Sequence, residues 1–316
     1  MKTSNLIKTA IAGVTLCLVA AGNVQAEQCP LVATLNSHAT TLKQFKSWQL
    51  FGDAKFSQLE VLLEKRYLEG LHSEGGDVLM SRDLNNIIIM NGGNQDLDKL
   101  VHMWLDQYPQ SFFAQLSAGI FYIQQAAAAR GTRAISETSQ DQLDRMSQLD
   151  AKAIAHLQKA MQLNPRSALP YSNMIDIAGV EGQAAGKDVQ EWLQLADQVD
   201  PKNLSARMQA INYLSPRWGG SFESMEQAVQ QAQKSLSIES IHYLEFFVMI
   251  QKASHEEVIT QDAAKAYALY KQAQAMCENA ISAREGIIRT YQPGDDNNQS
   301  QNDNHQSASD ANQSKD

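Results

Sequence analysis

Two stretches of the sequence that lie 36 residues apart repeat one pattern. Residues 160–165 read A-M-Q-L-N-P and residues 196–201 read A-D-Q-V-D-P, and the segments that follow them, 166–178 and 202–214, also align. A small alanine lets two antiparallel helices approach closely, while proline ends one helix and sets the entry to the next. Because a unit of this length forms one helical hairpin, the repeat predicts hairpins stacked on one another.

A third copy of the pattern starts at Pro109. Its distance to Pro165 is 56 residues, so one hairpin carries an insertion near residues 130–150. A helix that ends with a small residue, an apolar residue and a proline resembles the tetratricopeptide pattern. We therefore expect an all-α fold, a tetratricopeptide-like solenoid of helical hairpins over residues 109–291, preceded by an N-terminal helical region over residues 27–108.

Helical periodicity and composition agree with this fold. Apolar side chains recur on one helical face over residues 56–67 and 97–105, and a face of alanine and tyrosine over residues 263–276 suits the last stacked helix. Convincing alternating strand patterns are absent. Ala, Gln, Leu and Met, which form helices at low cost, are abundant, whereas aromatic residues make up only 7% of the chain.

The first 26 residues have the pattern of a cleaved export signal. Two lysines give a positive start, the uncharged apolar run 9–21 follows, and Ala26 precedes the expected cleavage site. An apolar run of about 13 residues is shorter than the roughly 20 that span a bilayer, and the first two cysteines do not follow a lipidation pattern. We expect a periplasmic or secreted protein that begins at Glu27 and has no stable membrane insertion.

The net charge and the C-terminal segment of the chain limit the kinds of partner that we expect. The net charge of −9 becomes −11 once the two signal lysines are removed, so no basic surface is expected for nucleic acid. In residues 292–316, 19 of 25 residues are Gln, Asn, Ser or Asp. Since no large apolar side chain offsets the entropy of ordering them, we expect a disordered acidic tail.

Export leaves two cysteines, Cys29 and Cys277. In an oxidising compartment such a pair favours one disulfide, which would tie the new N-terminus to the last helical segment. Two separate buried thiols are the alternative.

Catalytic and cofactor signatures are not found. The chain lacks the H-E-x-x-H, C-x-x-C, G-x-S-x-G and S-x-x-K patterns and a glycine-rich phosphate loop. The densest titratable group, His255 with Glu256 and Glu257, has no second histidine or cysteine at ligand spacing, which favours a solvated helix face. We expect no enzyme activity, no metal and no cofactor.

One turn is more distinctive than the rest: residues 215–225 read S-P-R-W-G-G-S-F-E-S-M. Proline stiffens the approach, the glycine pair turns the chain, and Ser221 can cap the next helix with Glu223 in its first turn. In one interpretation this corner locks two hairpins together, with Trp218 mostly buried and Arg217 bonded to backbone carbonyls or an acid.

In the other interpretation the corner is a binding site. The Trp218 ring would then lie on the concave surface near Arg130 and Arg133 of the insertion. Together with Arg217, these arginines would form a local positive site that attracts an acidic ligand to an acidic protein.

These residues also carry a family resemblance. The string P-R-W-G-G-S at residues 216–221, the pair Arg130-Gly131 and the run from Trp104 to Ala114 resemble a bacterial family of exported or cytosolic TPR-like proteins, a domain-of-unknown-function family. The similarity extends over about residues 51–276. It implies an all-helical fold stacked from hairpins, and it implies no activity.

Three functions remain open from the sequence. We interpret the chain as an exported helical-repeat protein, a binding or scaffold module for an unknown protein or peptide partner. The alternative is a helical cell-envelope hydrolase that uses paired carboxylates, with Asp176 and Glu181 as candidates. Two carboxyl groups about 5 to 9 Å apart in a cleft would favour that hydrolase. A chaperone-like or assembly factor with transient contacts is the third possibility.

Overall fold

The computed structural model of the protein describes residues 29–35, 46–73, 75–132, 137–278 and 280–292. Within these ranges every regular element is a helix and no strand occurs, so the expected all-α class is confirmed. No helix in the same ranges is both long and apolar enough to cross a membrane. The expected signal segment, Arg133 and residues 293–316 of the acidic tail lie outside the described residues.

Fourteen α-helices follow one another in the described residues. They are α1 (Pro30–Leu35), α2 (46–52), α3 (Phe56–Gly70), α4 (Gly76–Ile89), α5 (Leu97–Gln107), α6 (Phe112–Arg130), α7 (Gln140–Leu163), α8 (Leu169–Glu181), α9 (Val189–Val199), α10 (Ser205–Tyr213), α11 (Phe222–Ala232), α12 (Ile238–His255), α13 (Ala263–Met276) and α14 (Ile281–Thr290). Short 3₁₀ turns lie at Gly182–Ala185 and Pro216–Trp218, and a π-helical turn at Glu256–Thr260 follows α12.

Four helices, α5, α7, α9 and α13, end in the same kind of turn. The residue after each helix is extended, with φ between −131° and −144°, and its N–H donates to the carbonyl four residues earlier at 2.9 to 3.0 Å. These residues are Tyr108, Asn164, Asp200 and Cys277. Proline follows the first three, at the positions where the repeat places it.

The fourth turn corrects one expectation. Glu278 stands where the other copies have proline, and the turn forms without it. The chain continues into α14, so α13 is not the last helix. Ala160, Ala196 and Ala273 lie one helical turn before three of these ends and are completely buried, which fits the role of small residues at close helix contacts.

The insertion near residues 130–150 lengthens two helices. α6 has 19 residues and α7 has 24, and the two pack along each other. Gly119 lies at this contact, where a Cβ atom would come within 2.7 Å of the Leu157 side chain. At the start of α7, Ser139 accepts from the N–H of Gln142 and Gln142 accepts from the N–H of Ser139, which forms a capping box.

The core has two large clusters. In the first, the Trp104 ring stacks on Phe56 with centroids 6.0 Å apart, and its indole N–H donates to Glu60 at 2.7 Å. The second joins α1 to the C-terminal helices, and α1 packs against α12. A disulfide between Cys29 and Cys277 lies in this cluster, with Cα atoms 5.3 Å apart and 248 residues between them in sequence.

Candidate functional site

Three acidic side chains, Asp150 of α7 and Asp176 and Glu181 of α8, form what we call the carboxyl cluster. Asp150 is buried and forms a hydrogen bond with Glu181. Burial raises the pKa of Asp150 to about 8, and the negative charges of Glu181 and Asp176 add to the shift. Asp150 therefore stays protonated at neutral pH, and its carboxyl O–H donates a hydrogen bond to Glu181. Ser147 donates a further hydrogen bond to Glu181 at 2.8 Å.

Asp176 is held by side chains of α10. Its Oδ1 accepts hydrogen bonds from the Tyr213 hydroxyl and from Gln209 Nε2, the latter at 2.8 Å. Burial raises the pKa of Asp176, and these two hydrogen bonds oppose the shift. Tyr213 can reach Asp176 because α8 has Gly179 beneath the ring, where a Cβ atom would lie only 2.1 Å from the ring.

The carboxyl cluster does not support the hydrolase alternative. One of the two candidates, Glu181, forms hydrogen bonds with Asp150 and Ser147. The remaining candidate, Asp176, bonds to Tyr213 and Gln209. These bonds link α7, α8 and α10, which is a structural role.

The turn Pro216–Trp218 packs against the same tyrosine. The Trp218 and Tyr213 ring centroids are 4.9 Å apart, and the Arg217 guanidinium lies over the Trp218 ring at 5.7 Å. Trp218 is largely but not fully buried, as a packed corner would have it. The expected bonds from Arg217 to carbonyls or an acid are wrong, because its side chain is exposed and forms none with the described residues.

Arg130 is related to the corner because its charge acts on Tyr213. Burial and Asp176 raise the pKa of Tyr213, Asp150 adds to the shift, and the positive charge of Arg130 offsets part of it. Arg130 thus lies among acidic groups, and its buried Nε has no hydrogen-bond partner among the described residues. The third arginine of the expected positive site, Arg133, lies outside the described residues, so the binding interpretation of this corner stays a prediction.

The group His255, Glu256 and Glu257 does not converge on one point. Each side chain has its own partner: Phe222 for His255, with ring centroids 5.3 Å apart, Lys265 for Glu256 at 2.7 Å and Arg289 for Glu257 at 2.8 Å. These contacts link the end of α12 and the turn that follows it to α11, α13 and α14.

One group of side chains has the geometry to ligate a metal ion. The Sγ atoms of Cys29 and Cys277 and a ring nitrogen of His242 lie within 4.8 Å of one another. The disulfide occupies both sulfurs, so neither is a thiolate, the form that ligates metals.

A cavity of about 670 Å³, which we call the loop-end cavity, opens where several helix connections meet. Its wall comes from residues 70–73 and 75–77 between α3 and α4, residues 166–169 before α8, Asp200 and Lys202 before α10, and residues 235–237 with Ser240 at the start of α12. Pockets that bind small molecules have volumes of roughly 300 to 1,000 Å³. The cavity therefore has room for a small ligand or a short peptide segment.

The repeat places two cations on this wall at equivalent positions. Arg166 and Lys202 each follow a proline. The residue before that proline follows the end of the preceding helix, and its side chain accepts a hydrogen bond from the backbone N–H of the cationic residue. The acceptors are Oδ1 of Asn164, at 3.4 Å, and Oδ1 of Asp200, at 2.9 Å. Both cationic side chains are exposed, and neither pairs with a carboxylate in the described part of the chain.

The acidic groups of the wall are engaged by backbone N–H groups. Asp77 Oδ2 accepts from Leu204 at 2.7 Å and from Ser205 at 2.6 Å, which caps the start of α10. Burial raises the pKa of Asp77, while these bonds oppose the shift. Asp200 is used in the turn with Lys202. The acids of the wall are thus engaged by the protein's own N–H groups, whereas the two cations pair with no carboxylate of the described residues.

The family described as a domain of unknown function, DUF4034, matches residues 43–186 and 180–237, which is more than half of the chain. The chain belongs to the DUF4034 family. Comparisons with curated proteins and with solved structures give no match.

The DUF4034 region includes α3 to α11 and hence the carboxyl cluster and the whole wall of the loop-end cavity except Ser240. Motif searches do not find this cavity, because its residues come from four separate connections. The one signal in the sequence is the alignment that pairs Arg166 with Lys202. No spacing in the sequence indicates that Asp150 and Tyr213 lie close to Asp176.

Proposed function

We propose that this DUF4034 protein is an exported binding or scaffold module that holds a segment of a protein or peptide partner in the loop-end cavity. The observation that carries the proposal is the cavity itself, with about 670 Å³ of space among helix connections. Apolar side chains alternate there with hydroxyls and charges, as in sites that bind a ligand and fix its orientation. The apolar members are Leu71, Met80, Leu169 and Leu236.

We propose binding without catalysis. The sequence offers Asp176 and Glu181 as the candidates for hydrolysis; in the fold Glu181 bonds to Asp150 and Ser147, and Asp176 bonds to Tyr213 and Gln209. This arrangement supports a structural role for Asp176 and Glu181.

The compartment is part of the same proposal. The export pattern of the first 26 residues supports the periplasm or the outside of the cell. The Cys29–Cys277 disulfide is compatible with it, since such bonds persist in oxidising compartments. The intact mass of protein purified from the periplasm should correspond to a chain that begins at Glu27. A chain that retains Met1, or a lipid mass on Cys29, would contradict export by this route.

A photo-reactive residue at the cavity tests partner binding. Leu71 is exposed on the cavity wall, and Ile259 is similarly exposed beyond the far end of α12. With a rise of 1.5 Å per residue, α12 separates the two ends by about 27 Å. We expect illumination to give one discrete adduct from position 71 and none from the matched control at position 259.

Two outcomes would reject the cavity as the partner site: equal adducts from both positions, or no adduct from position 71. If the adduct forms, purification without illumination separates two modes of action. A partner that copurifies indicates a stable complex, whereas one captured only by light indicates an assembly factor with transient contacts.

A further inference from the structure

The wall of the loop-end cavity carries two acids and two cations, which have different partners. Its two acids, Asp77 and Asp200, accept hydrogen bonds from backbone N–H groups of the protein. Its two cations, Arg166 and Lys202, have exposed side chains without a carboxylate partner among the described residues. A carboxylate that enters the cavity therefore meets the positive charge of two side chains that pair with no carboxylate of the described residues.

The backbone adds to this positive potential. Four helices, α4, α8, α10 and α12, begin at the cavity, and a helix N-terminus carries partial positive charge on its free N–H groups. Asp77 offsets this charge at α4 and α10, and Glu239 lies in the first turn of α12, whereas α8 has neither a side-chain cap nor an acidic residue in its first turn. The N-terminus of α8 thus reinforces the two cations.

The apolar part of the wall limits the kind of anion. Leu71, Leu169 and Leu236 line the same space as Arg166 and Lys202. Such a wall suits an anionic group that is attached directly to an apolar side chain. The last residue of a peptide has this chemistry, because its carboxylate and its side chain leave the same carbon atom.

We infer that the loop-end cavity binds the carboxyl-terminal carboxylate of a peptide or protein segment, with Arg166 and Lys202 as its charge partners. The inference rests on the proposed function and gives it a ligand chemistry. Charged hydrogen bonds to a carboxylate are about twice as strong as neutral ones, so the terminal group makes a large contribution to such binding.

Equilibrium dialysis with peptide pools tests this inference. The full-length protein with its disulfide is dialysed against N-acetylated random tetrapeptides, either as free acids or as C-terminal amides, and mass spectrometry measures their enrichment. We expect free acids with apolar last residues to be enriched and the amides to bind roughly tenfold more weakly or worse. The double variant Arg166→Gln with Lys202→Gln should lose the enrichment of free acids.

A matched control keeps the result interpretable. Lys99→Gln with Arg145→Gln removes the same charge from exposed positions of α5 and α7 and should leave binding unchanged. Because Arg166 and Lys202 are exposed, the melting temperature of the double variant should equal that of the wild type.

Three results would overturn the inference. Equal enrichment of acids and amides would show peptide binding that does not depend on the carboxylate. If neither pool were enriched while position 71 still captured a partner, the partner would bind the cavity through another group, and the proposed function would stand. If inorganic phosphate displaced the free acids at lower concentrations than acetate does, the site would belong to phosphate.

Discussion

The protonated carboxyl group of Asp150 of α7 donates a hydrogen bond to Glu181 of α8 across the contact between their helices. Asp150 is buried, and its raised pKa keeps the proton on its carboxyl group at neutral pH. The hydrogen bond to Glu181 exists because of that proton, since two charged carboxylates would repel each other. The stability of the helix pair is therefore linked to pH.

We expect the stability of the protein to fall as the pH rises from 5 to 8. The pKa of Asp150 increases from an ordinary 3.8 to about 8 on folding, so the folded chain holds a proton that the unfolded chain has lost. This stabilisation is fully present below about pH 4 and disappears as the pH passes 8. Its contribution to the slope is at most about 1.4 kcal/mol per pH unit. Asp150→Asn, which cannot titrate, should flatten the slope in urea unfolding.

A second aspartate serves as the control for this pH effect. Asp106 is exposed at the end of α5, and Asp106→Asn should leave the pH profile of the unfolding free energy parallel to that of the wild type. If Asp150→Asn also gave a parallel profile, the raised pKa of Asp150 would be refuted.

Gly179→Ala should destabilise the protein through Tyr213. The added Cβ atom would lie 2.1 Å from the tyrosine ring, so the ring must move away from Asp176. We expect a loss of about 1 to 3 kcal/mol in the free energy of unfolding. In a Tyr213→Ala background the same change should cost much less, so a double-mutant cycle should show coupling between the two sites.

The matched control for this steric effect is Gly93→Ala. No atom outside the neighbouring residues lies within 4 Å of a Cβ built at Gly93, so the change should stay within about 0.5 kcal/mol. Additive effects of Gly179→Ala and Tyr213→Ala would argue against the close contact.

The helices that carry the repeat could be predicted because their signals are local. Alanine and proline at fixed spacing predict the turns after Asn164 and Asp200, and both turns have the expected position. The turn after Cys277 has the same backbone geometry but lacks the proline, so no local signal marks α14. The residues of the insertion lengthen α6 and α7. The spacing between the prolines alone does not distinguish longer helices from an added helix.

The candidate sites were harder to predict because distant residues build them. The charge of Asp176 makes it a candidate, but its partner Tyr213 lies 37 residues later in the sequence. The packing of α8 on α10 brings the two side chains together. The loop-end cavity depends on where four connections end in space. Sequence alignment pairs Arg166 with Lys202, yet only the fold shows that both face the same space.

A buried ion pair gives a further prediction for stability. Arg66 donates to Asp83 and to Ser47, and the ion-paired side chains of Arg66 and Asp83 are only 14% and 4% exposed. Asp83→Leu would leave Arg66 buried without its carboxylate, so we expect a loss of about 3 to 5 kcal/mol in the free energy of unfolding. Thermal and urea unfolding both measure this loss.

The comparison for the buried pair is an exposed one. Lys65 and Glu69 lie 3.9 Å apart on the surface of α3, and Glu69→Ala should change stability by no more than about 1 kcal/mol. Similar losses for Asp83→Leu and Glu69→Ala would mean that burial does not set the strength of the Arg66–Asp83 pair.

The disulfide should form in the exported protein and contribute to its stability. Peptide mapping of periplasmic protein without reductant should find Cys29 linked to Cys277; free alkylation of both thiols would refute the bond. The double variant Cys29→Ser with Cys277→Ser opens a loop with a sequence separation of 248 residues. The loop-entropy estimate for so long a loop is up to about 5 kcal/mol, so we expect a marked drop in urea midpoint. His242→Ala, whose imidazole Nδ1 lies 3.8 Å from Cys29 Sγ, should keep the linkage and serves as the control.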